Sequence, residues 1–324
     1  MNINLPFSAA VAAIRAANRI VLASHVNPDG DTLGSSLALT HALRSLGKTA
    51  IPLSHDGVPE ILKWMPGAEL VQRETDLRDF DLAIVCDTGT VDRIGRSKDA
   101  ILSAPISLCI DHHVTEGEFG QIRVVDSKSS STGELMFDLL QALEVPLSAD
   151  MANCLMCAVI TDTGSFRYMN VTPQTFQIAS ELMSAGASPA EISELVFENR
   201  SLASVKLLGR ALESLQTTAD GRVAWAHIRA EDFAELNATD EETEGIVNHV
   251  RAVRTAQVGV LFRETPNKKI RISLRARPGF DVNQVANVFG GGGHHLAAGC
   301  SQEPPLLPAE ERVIAEIVSR LPSL

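Results

Sequence analysis

Residues 81–87 read DLAIVCD and residues 106–111 read ISLCID: two short apolar runs rich in β-formers, each closing on an aspartate. Continuous runs of this kind suit strands buried on both faces, as in a parallel sheet covered by helices. A third run, IVLAS at 20–24, leads into the turn NPDGD and then TLGSSLALTHALRSL, a helical stretch stopped by Gly47. Residues 172–186, TPQTFQIASELMSAG, mark another helix, with Thr172 to cap it, Pro173 in its first turn and Gly186 to end it. Strands alternating with helices define an α/β fold: a parallel sheet with helices on both faces.

At 324 residues the chain exceeds the usual single domain, and two are expected. The stretch SPAEISELVFENRSLASVKLLGRALESL lacks strand signals and reads as a helical connector. Beyond it, RVAWAHI, AQVGVLF and KIRISLR look like half-buried strands of a smaller α/β domain. The expected division is a catalytic domain at 1–186, a connector at 187–212 and a substrate-binding domain at 213–324. Hydrophobic residues make up 45% of the chain and mean hydropathy is +0.07, enough for filled cores. No apolar run approaches the roughly 20 residues that span a bilayer, so no membrane association is expected and the setting reads as cytoplasmic.

The net charge of −12 argues against nonspecific binding of long or duplex nucleic acid, where phosphate neutralisation supplies the affinity. The charge is uneven. Residues 231–244 carry seven acids and no base, whereas 251–277 carry eight bases against Glu264 alone. Such runs are most simply solvated faces. Cys154-Leu-Met-Cys157 is formally a CxxC, yet it lies within the apolar run ANCLMCAVI without a second pair, and core packing is the expectation.

The polar residues that follow the apolar runs carry the chemistry. His25, Asp29 and Asp31 follow the first strand, Asp87 the second, and Asp111-His112-His113 the third, while Asp162 closes the apolar run CAVITD. Ligand sites in open α/β sheets lie beyond the carboxyl ends of the strands. Taken singly, each block has an ordinary explanation: Asp31 or Asp87 could cap a helix, and Asn27-Pro28-Asp29-Gly30 is good turn chemistry. Four blocks together would crowd carboxylates that repel strongly at low dielectric, and cations are the natural counterweight. Carboxylates with a minority of imidazoles and no thiolate suit Mn²⁺ or Mg²⁺ better than structural zinc.

In this order the blocks resemble the motifs of the DHH phosphoesterase superfamily, named for the triplet found here at 111–113. FGGGGHHLAAG at 289–299 resembles the glycine-rich motif of the DHH-associated domain. The resemblance runs from about residue 20 to 299 and is nearest to the two-domain bacterial oligoribonucleases that also dephosphorylate 3′-phosphoadenosine-5′-phosphate (pAp). RecJ-type exonucleases carry extra domains, and family II pyrophosphatases end in a Ser-Arg-Lys-Lys signature absent from this chain. The resemblance implies two Mn²⁺ ions, with Mg²⁺ as a substitute. His25, Asp29 and Asp87 would hold one ion, and Asp31, Asp87, His112 and Asp162 the other, with Asp87 bridging. It further implies catalytic roles for His113, facing the substrate phosphate, and for Asp111, orienting the neighbouring histidines.

The second domain is then expected to bind the remainder of the substrate. Gly291, Gly292 and Gly293 let backbone N–H groups approach an anion, and His294 follows them. RISLRAR places Arg271, Arg275 and Arg277 at alternate positions. The family's use of an arginine and of the glycine-motif histidine makes Arg275 and His294 the candidates for substrate contact. One Tyr, two Trp and eleven Phe offer few rings for stacking a long strand, which favours short RNA oligonucleotides, pAp or dinucleotides. The rival readings are a phosphodiesterase for cyclic di-AMP or linear pApA and, in another class, a nucleotide-sensing binding protein. The sequence leaves a homodimer open.

Overall fold

The computed structural model describes residues 7–113, 117–265 and 269–322. The chain divides into two compact units, Met1–Asn199 and Arg200–Leu324. The first contains, in order, α1 (Phe7–Ala16), β1 (Arg19–Ala23), α2 (Gly30–Ser45), β2 (Thr49–Leu53), β3 (Leu82–Cys86), α3 (Lys98–Ser103), β4 (Ile106–Asp111), β5 (Ile122–Val125), α4 (Thr132–Ala142), α5 (Ala149–Asp162), α6 (Pro173–Ser184) and α7 (Pro189–Ser193). Among the described residues these strands form a five-stranded sheet in the order β2-β1-β3-β4-β5, with every pairing parallel. The central strand β3 is buried at each position, which is why its sequence is apolar without alternation.

Side chains alternate across the sheet. Ile20, Leu22 and Ile84 join Leu37 of α2, Leu135 of α4 and Leu155 of α5 in one core. Val21, Ala23, Ala83 and Val85 face the other way, onto Ile94, Ala100 and Ile101. Helices therefore cover both faces. Because β1, β3 and β4 run parallel, their carboxyl ends share one edge, and the residues that follow them meet there. Thr172 caps α6 in a reciprocal capping box with Thr175, and Pro173 occupies its first turn.

Helix α5 brings a fourth polar block to that edge. It packs against α2, and a Cβ at Gly34 would overlap the Cys154 carbonyl oxygen and lie 3.2 Å from the Ala158 Cβ. The absence of a side chain there permits the approach that carries Asp162, at the end of α5, toward Asp31, at the start of α2. Cys154 and Cys157 lie wholly inside this packing, and burial pushes both thiols well above their ordinary value. The pair is core.

The second unit contains α8 (Leu202–Glu213), β6 (Gln216–Thr217), β7 (Val223–Ile228), α9 (Ala230–Leu236), α10 (Ile246–Arg251), β8 (Val258–Glu264), β9 (Ile270–Ala276), α11 (Val282–Val288), β10 (Gly292–His294), β11 (Ala297–Gln302) and α12 (Leu306–Arg320). Its sheet runs β10-β11-β9-β8-β7-β6 and is mixed, β7 and β8 being parallel and the other pairs antiparallel. Strand β9 alternates strictly: Ile270, Ile272, Leu274 and Ala276 are buried, while Arg271, Ser273 and Arg275 share the opposite face. In the stretch 187–212, α7 and α8 are separated by a π turn at Glu194–Glu198. Among the described residues no helix is long and apolar enough to cross a membrane.

The α2–α5 contact is testable. Gly34→Ala should destabilise the first unit by about 1–3 kcal/mol through overpacking against backbone that cannot rotate away, read as a lowered Tm. An unchanged Tm would show that the helices are not held this closely.

Candidate metal centre

The turn between β1 and α2 presents three of the predicted side chains by three devices. His25 leaves β1 almost buried, and its Nδ1 lies 2.9 Å from the Val26 carbonyl oxygen, so the Nδ1–H is spent there and Nε2 is left as the lone-pair nitrogen. Asp29 is the N-cap of α2, accepting from the N–H groups of Asp31 and Thr32. Asp31, the other candidate for that cap, instead lies inside the first turn, fully buried, and its carboxylate accepts from the N–H groups of Thr132 (2.8 Å) and Gly133 (2.9 Å) at the start of α4. A helix N-terminus is where an anion is best stabilised.

Asp87 follows β3 with φ of +65°, a left-handed conformation that costs a non-glycine residue energy and is characteristic of functional sites. Its two oxygens face different partners. Oδ2 lies 3.2 Å from His25 Nε2, whereas Oδ1 lies 3.4 Å from His113 Nδ1 and 3.6 Å from His112 Nε2. His112, after β4, has its Nδ1 3.2 Å from the Ser129 carbonyl oxygen. Its Nε2 is buried without a hydrogen-bond partner among the described residues, 3.6 Å from an oxygen of each of Asp31, Asp87 and Asp162. A buried imidazole nitrogen facing three carboxylates just beyond hydrogen-bond distance matches a cation's donor set rather than a hydrogen-bond network. Asp111 accepts from the backbone N–H of His113 at 3.0 Å and lies 2.7 Å from its Nδ1.

Three groups of ligand atoms could each hold a metal ion: His25, Asp29 and Asp87; Asp31, His112 and Asp162; and Asp87, His112 and His113. Their electrostatics agree. Burial raises the Asp87 carboxyl well above its ordinary value, with Asp31 and Asp29 adding to it. Asp162 is pushed up to about 8, by burial and then Asp31, against the pull of His112. Burial raises Asp31 as well. Burial works against the charge on His112, but Asp31, Asp162 and Asp87 outweigh it and hold the imidazole at about 9. Burial likewise opposes ionisation of Asp111, yet the bonds to His113 leave it below the usual carboxylate value. Protons are held where a cation would neutralise the same charge.

Several contributors escape sequence inspection. The Thr132 hydroxyl donates to Asp87 Oδ1 at 2.9 Å. Asn170 Nδ2 bonds the Ser130 carbonyl oxygen (2.8 Å) and reaches Asp162 Oδ2 (3.3 Å), after a tight left-handed run at Gly164, Ser165 and Phe166. The signal for the first was SSSTGE at 129–134, a serine cap followed three residues on by glutamate. Ser131 does cap α4, while the Glu134 carboxylate turns to the Ser130 hydroxyl at 2.6 Å. Nothing local marks Asn170.

In the second unit, Arg275 is half-buried on β9, and its Nη1 donates to the Leu274 carbonyl at 3.1 Å. Among the described residues it has no acidic partner, whereas Arg271 and Arg263 both pair with Asp240, at 2.7 and 3.0 Å. The acidic and basic runs thus partly neutralise each other. Gly291 and Gly293 are demanded by the β10–β11 pairing: a Cβ at the first would overlap the Gly299 carbonyl oxygen, and at the second would lie 2.5 Å from that of Ala297. Gly292 meets no such obstacle, its nearest neighbours being the Asn287 and Asn283 side chains at 3.8 and 3.9 Å. The His294 side chain and Lys268 lie outside the described residues.

Residues 19–159 match the model of the DHH family N-terminal domain, and residues 220–320 that of the DHHA1 domain. A bifunctional oligoribonuclease and PAP phosphatase of Thermus thermophilus is 31% identical over 93% of this chain and 90% of its own length. The chain belongs to the DHH family. Its Bacillus subtilis relative of the same description is 30% identical over 87% of this chain and 88% of its own. The crystal structure of an exopolyphosphatase-related protein from Bacteroides fragilis superposes with a TM-score of 0.91 at 28% identity, covering 97% of this chain and 95% of that one. As a DHH phosphoesterase the protein is a phosphoric ester hydrolase, of a metal-dependent family.

The raised carboxyl values predict a pH dependence. Stability from a carboxyl whose folded pKa is raised is complete below its unfolded value, about 4, and is lost as pH rises through about 8. That from His112 is complete below about 6.5 and lost through about 9. Both act in one direction. The cation-free protein should lose Tm steadily between pH 5 and 9, and a divalent cation at 100 times its Kd should restore about 2.7 kcal/mol at the alkaline end. A Tm indifferent to both pH and cation would contradict this electrostatic reading.

Proposed function

We propose that the protein is a Mn²⁺-dependent phosphohydrolase that degrades RNA oligonucleotides of a few residues to mononucleotides and removes the 3′-phosphate of pAp, acting in the cytoplasm. The observation that carries this is the division of Asp87, one oxygen toward His25 and the other toward His112, so that one carboxylate serves two groups of ligands. The relatives named as oligoribonuclease and PAP phosphatase support the substrate class.

His25, Asp29 and Asp87 would hold one cation; Asp31, Asp87, His112 and Asp162 the other, with Mg²⁺ able to substitute. When bound, the ions supply Lewis acidity to a phosphoryl oxygen and acidify a water nucleophile. The residues supply the rest. The Val26 and Ser129 carbonyls keep His25 and His112 in the tautomer that turns Nε2 inward. Asp111, held ionised by His113, fixes that ring beside Asp87, where His113 serves as the group facing the substrate phosphate. Arg275, without an acidic partner among the described residues, is the second unit's candidate for a distal phosphate, since its guanidinium fork suits phosphate oxygens. Of Gly291, Gly292 and Gly293, Gly292 has the open backbone that would admit an anion, and His294 is proposed beside it.

Three outcomes are expected. Asp87→Ala should abolish Mn²⁺-dependent hydrolysis while the protein stays folded; retained turnover by a folded variant would sink the shared-carboxylate reading. Arg275→Ala should spare bis-p-nitrophenyl phosphate yet cost about 1.5–3 kcal/mol in kcat/KM for pAp and a dinucleotide, the range for a hydrogen bond to a charged group. Equal loss on both substrates would make Arg275 structural. Assayed side by side, pAp and a short RNA ladder should be turned over faster than cyclic di-AMP; the reverse order would make the protein a cyclic-dinucleotide phosphodiesterase.

A further inference from the structure

We infer that Thr132 is a positioning residue that sets the carboxylate of Asp87 so that each oxygen serves a different cation. The inference rests on the two-cation reading above and extends it to a side chain with no ligand role of its own.

Carboxylates rotate readily about the bond that joins them to the side chain. Asp87 can divide its oxygens between His25 and His112 only if something holds its plane, and the Thr132 hydroxyl is fully buried and donates to Oδ1 at 2.9 Å. That bond leaves Oδ2 turned to His25 Nε2 at 3.2 Å. The same residue's backbone N–H donates to Asp31 Oδ2 at 2.8 Å, and that oxygen and Asp87 Oδ1 are each 3.6 Å from His112 Nε2. One residue therefore fixes an oxygen of the shared acid and an oxygen of an acid belonging to the His112 group.

The surrounding fold aims the hydroxyl. Thr132 is the first residue of α4, where backbone N–H groups have no partner within the helix and are free to bind Asp31. Ser131 caps the helix on one side of it, and the Gly133 N–H takes Asp31 Oδ1 on the other. A β-branched side chain has few χ1 choices, which narrows the directions open to the hydroxyl, and its burial against Asp87 selects one. The bond also stabilises a buried carboxylate electrostatically, and a merely structural role would end there.

The test separates the two. Thr132→Val keeps the shape and removes the donor; Thr132→Ser keeps the donor. Mn²⁺ titrations by calorimetry, with electron paramagnetic resonance of the loaded protein, should give two ions and a spin-coupled spectrum for the parent. Thr132→Val should keep the parent's circular dichroism but bind the more weakly held ion about 10–100-fold less tightly, as when an outer hydrogen-bond partner of a ligand is removed, and lose the coupled spectrum. Thr132→Ser should restore both. Should Thr132→Val fail to fold, Thr132→Ala carries the same comparison. Two ions at parental affinity with a coupled spectrum, or equal weakening of both ions, in the donor-less variant would overturn the inference. A parent that binds one ion or none would overturn the two-cation reading itself, and with it this role for Thr132.

Discussion

The mutual repulsion of carboxylates gathered at one edge of a parallel sheet governs this molecule's first unit. Asp31 and Asp87 are almost completely buried, with Asp162 partly so, and all three converge on Nε2 of His112. Like charges so placed cannot all ionise without compensation. The fold meets part of the cost with the N-terminus of α4, whose first N–H groups hold Asp31, and with the hydroxyl of Thr132 on Asp87. Protons or cations must meet the rest. Burial first, and this repulsion after it, raise the carboxyls of Asp87 and Asp162, and the same carboxylates make His112 strongly basic against its own burial.

The scaffold makes this crowding geometrically possible. Parallel strands align the residues after β1, β3 and β4, and a left-handed backbone at Asp87 turns its side chain into the group. The close packing of α2 on α5 supplies Asp162 from the helical layer. Chemistry-bearing residues thus arise from four separate segments, each placed by its own strand or helix. The second unit has a different electrostatic plan: Asp240 quenches Arg263 and Arg271, leaving Arg275 without an acidic partner among the described residues.

Much of this was legible because strand periodicity is local. The uninterrupted apolar runs ending in Asp87 and Asp111 announced buried parallel strands, and the alternation of Arg271 and Arg275 announced a half-exposed one. An apolar run alone does not distinguish strand from buried helix, and CAVITD proved to be the end of a helix. The sequence likewise did not separate the cap Asp29 from the inward-facing Asp31, since the choice depends on α4, about a hundred residues away, offering its N–H groups. Thr132 stood beside a helix-cap pattern that marks structure and not chemistry, and Asn170 stood in no pattern at all. Their partners are brought to them by tertiary packing. The six side chains proposed as ligands do come together; their roles remain the proposal made above.

The proposed function stands on one carboxylate, Asp87, serving two cations. Crystals of the protein grown with Mn²⁺ and measured at the manganese absorption edge test it most directly. Two anomalous peaks per chain are expected, one beside His25 and Asp29 and one beside His112 and Asp162, with Asp87 between them. A single peak at this edge of the sheet, or two peaks that do not share Asp87, would contradict it.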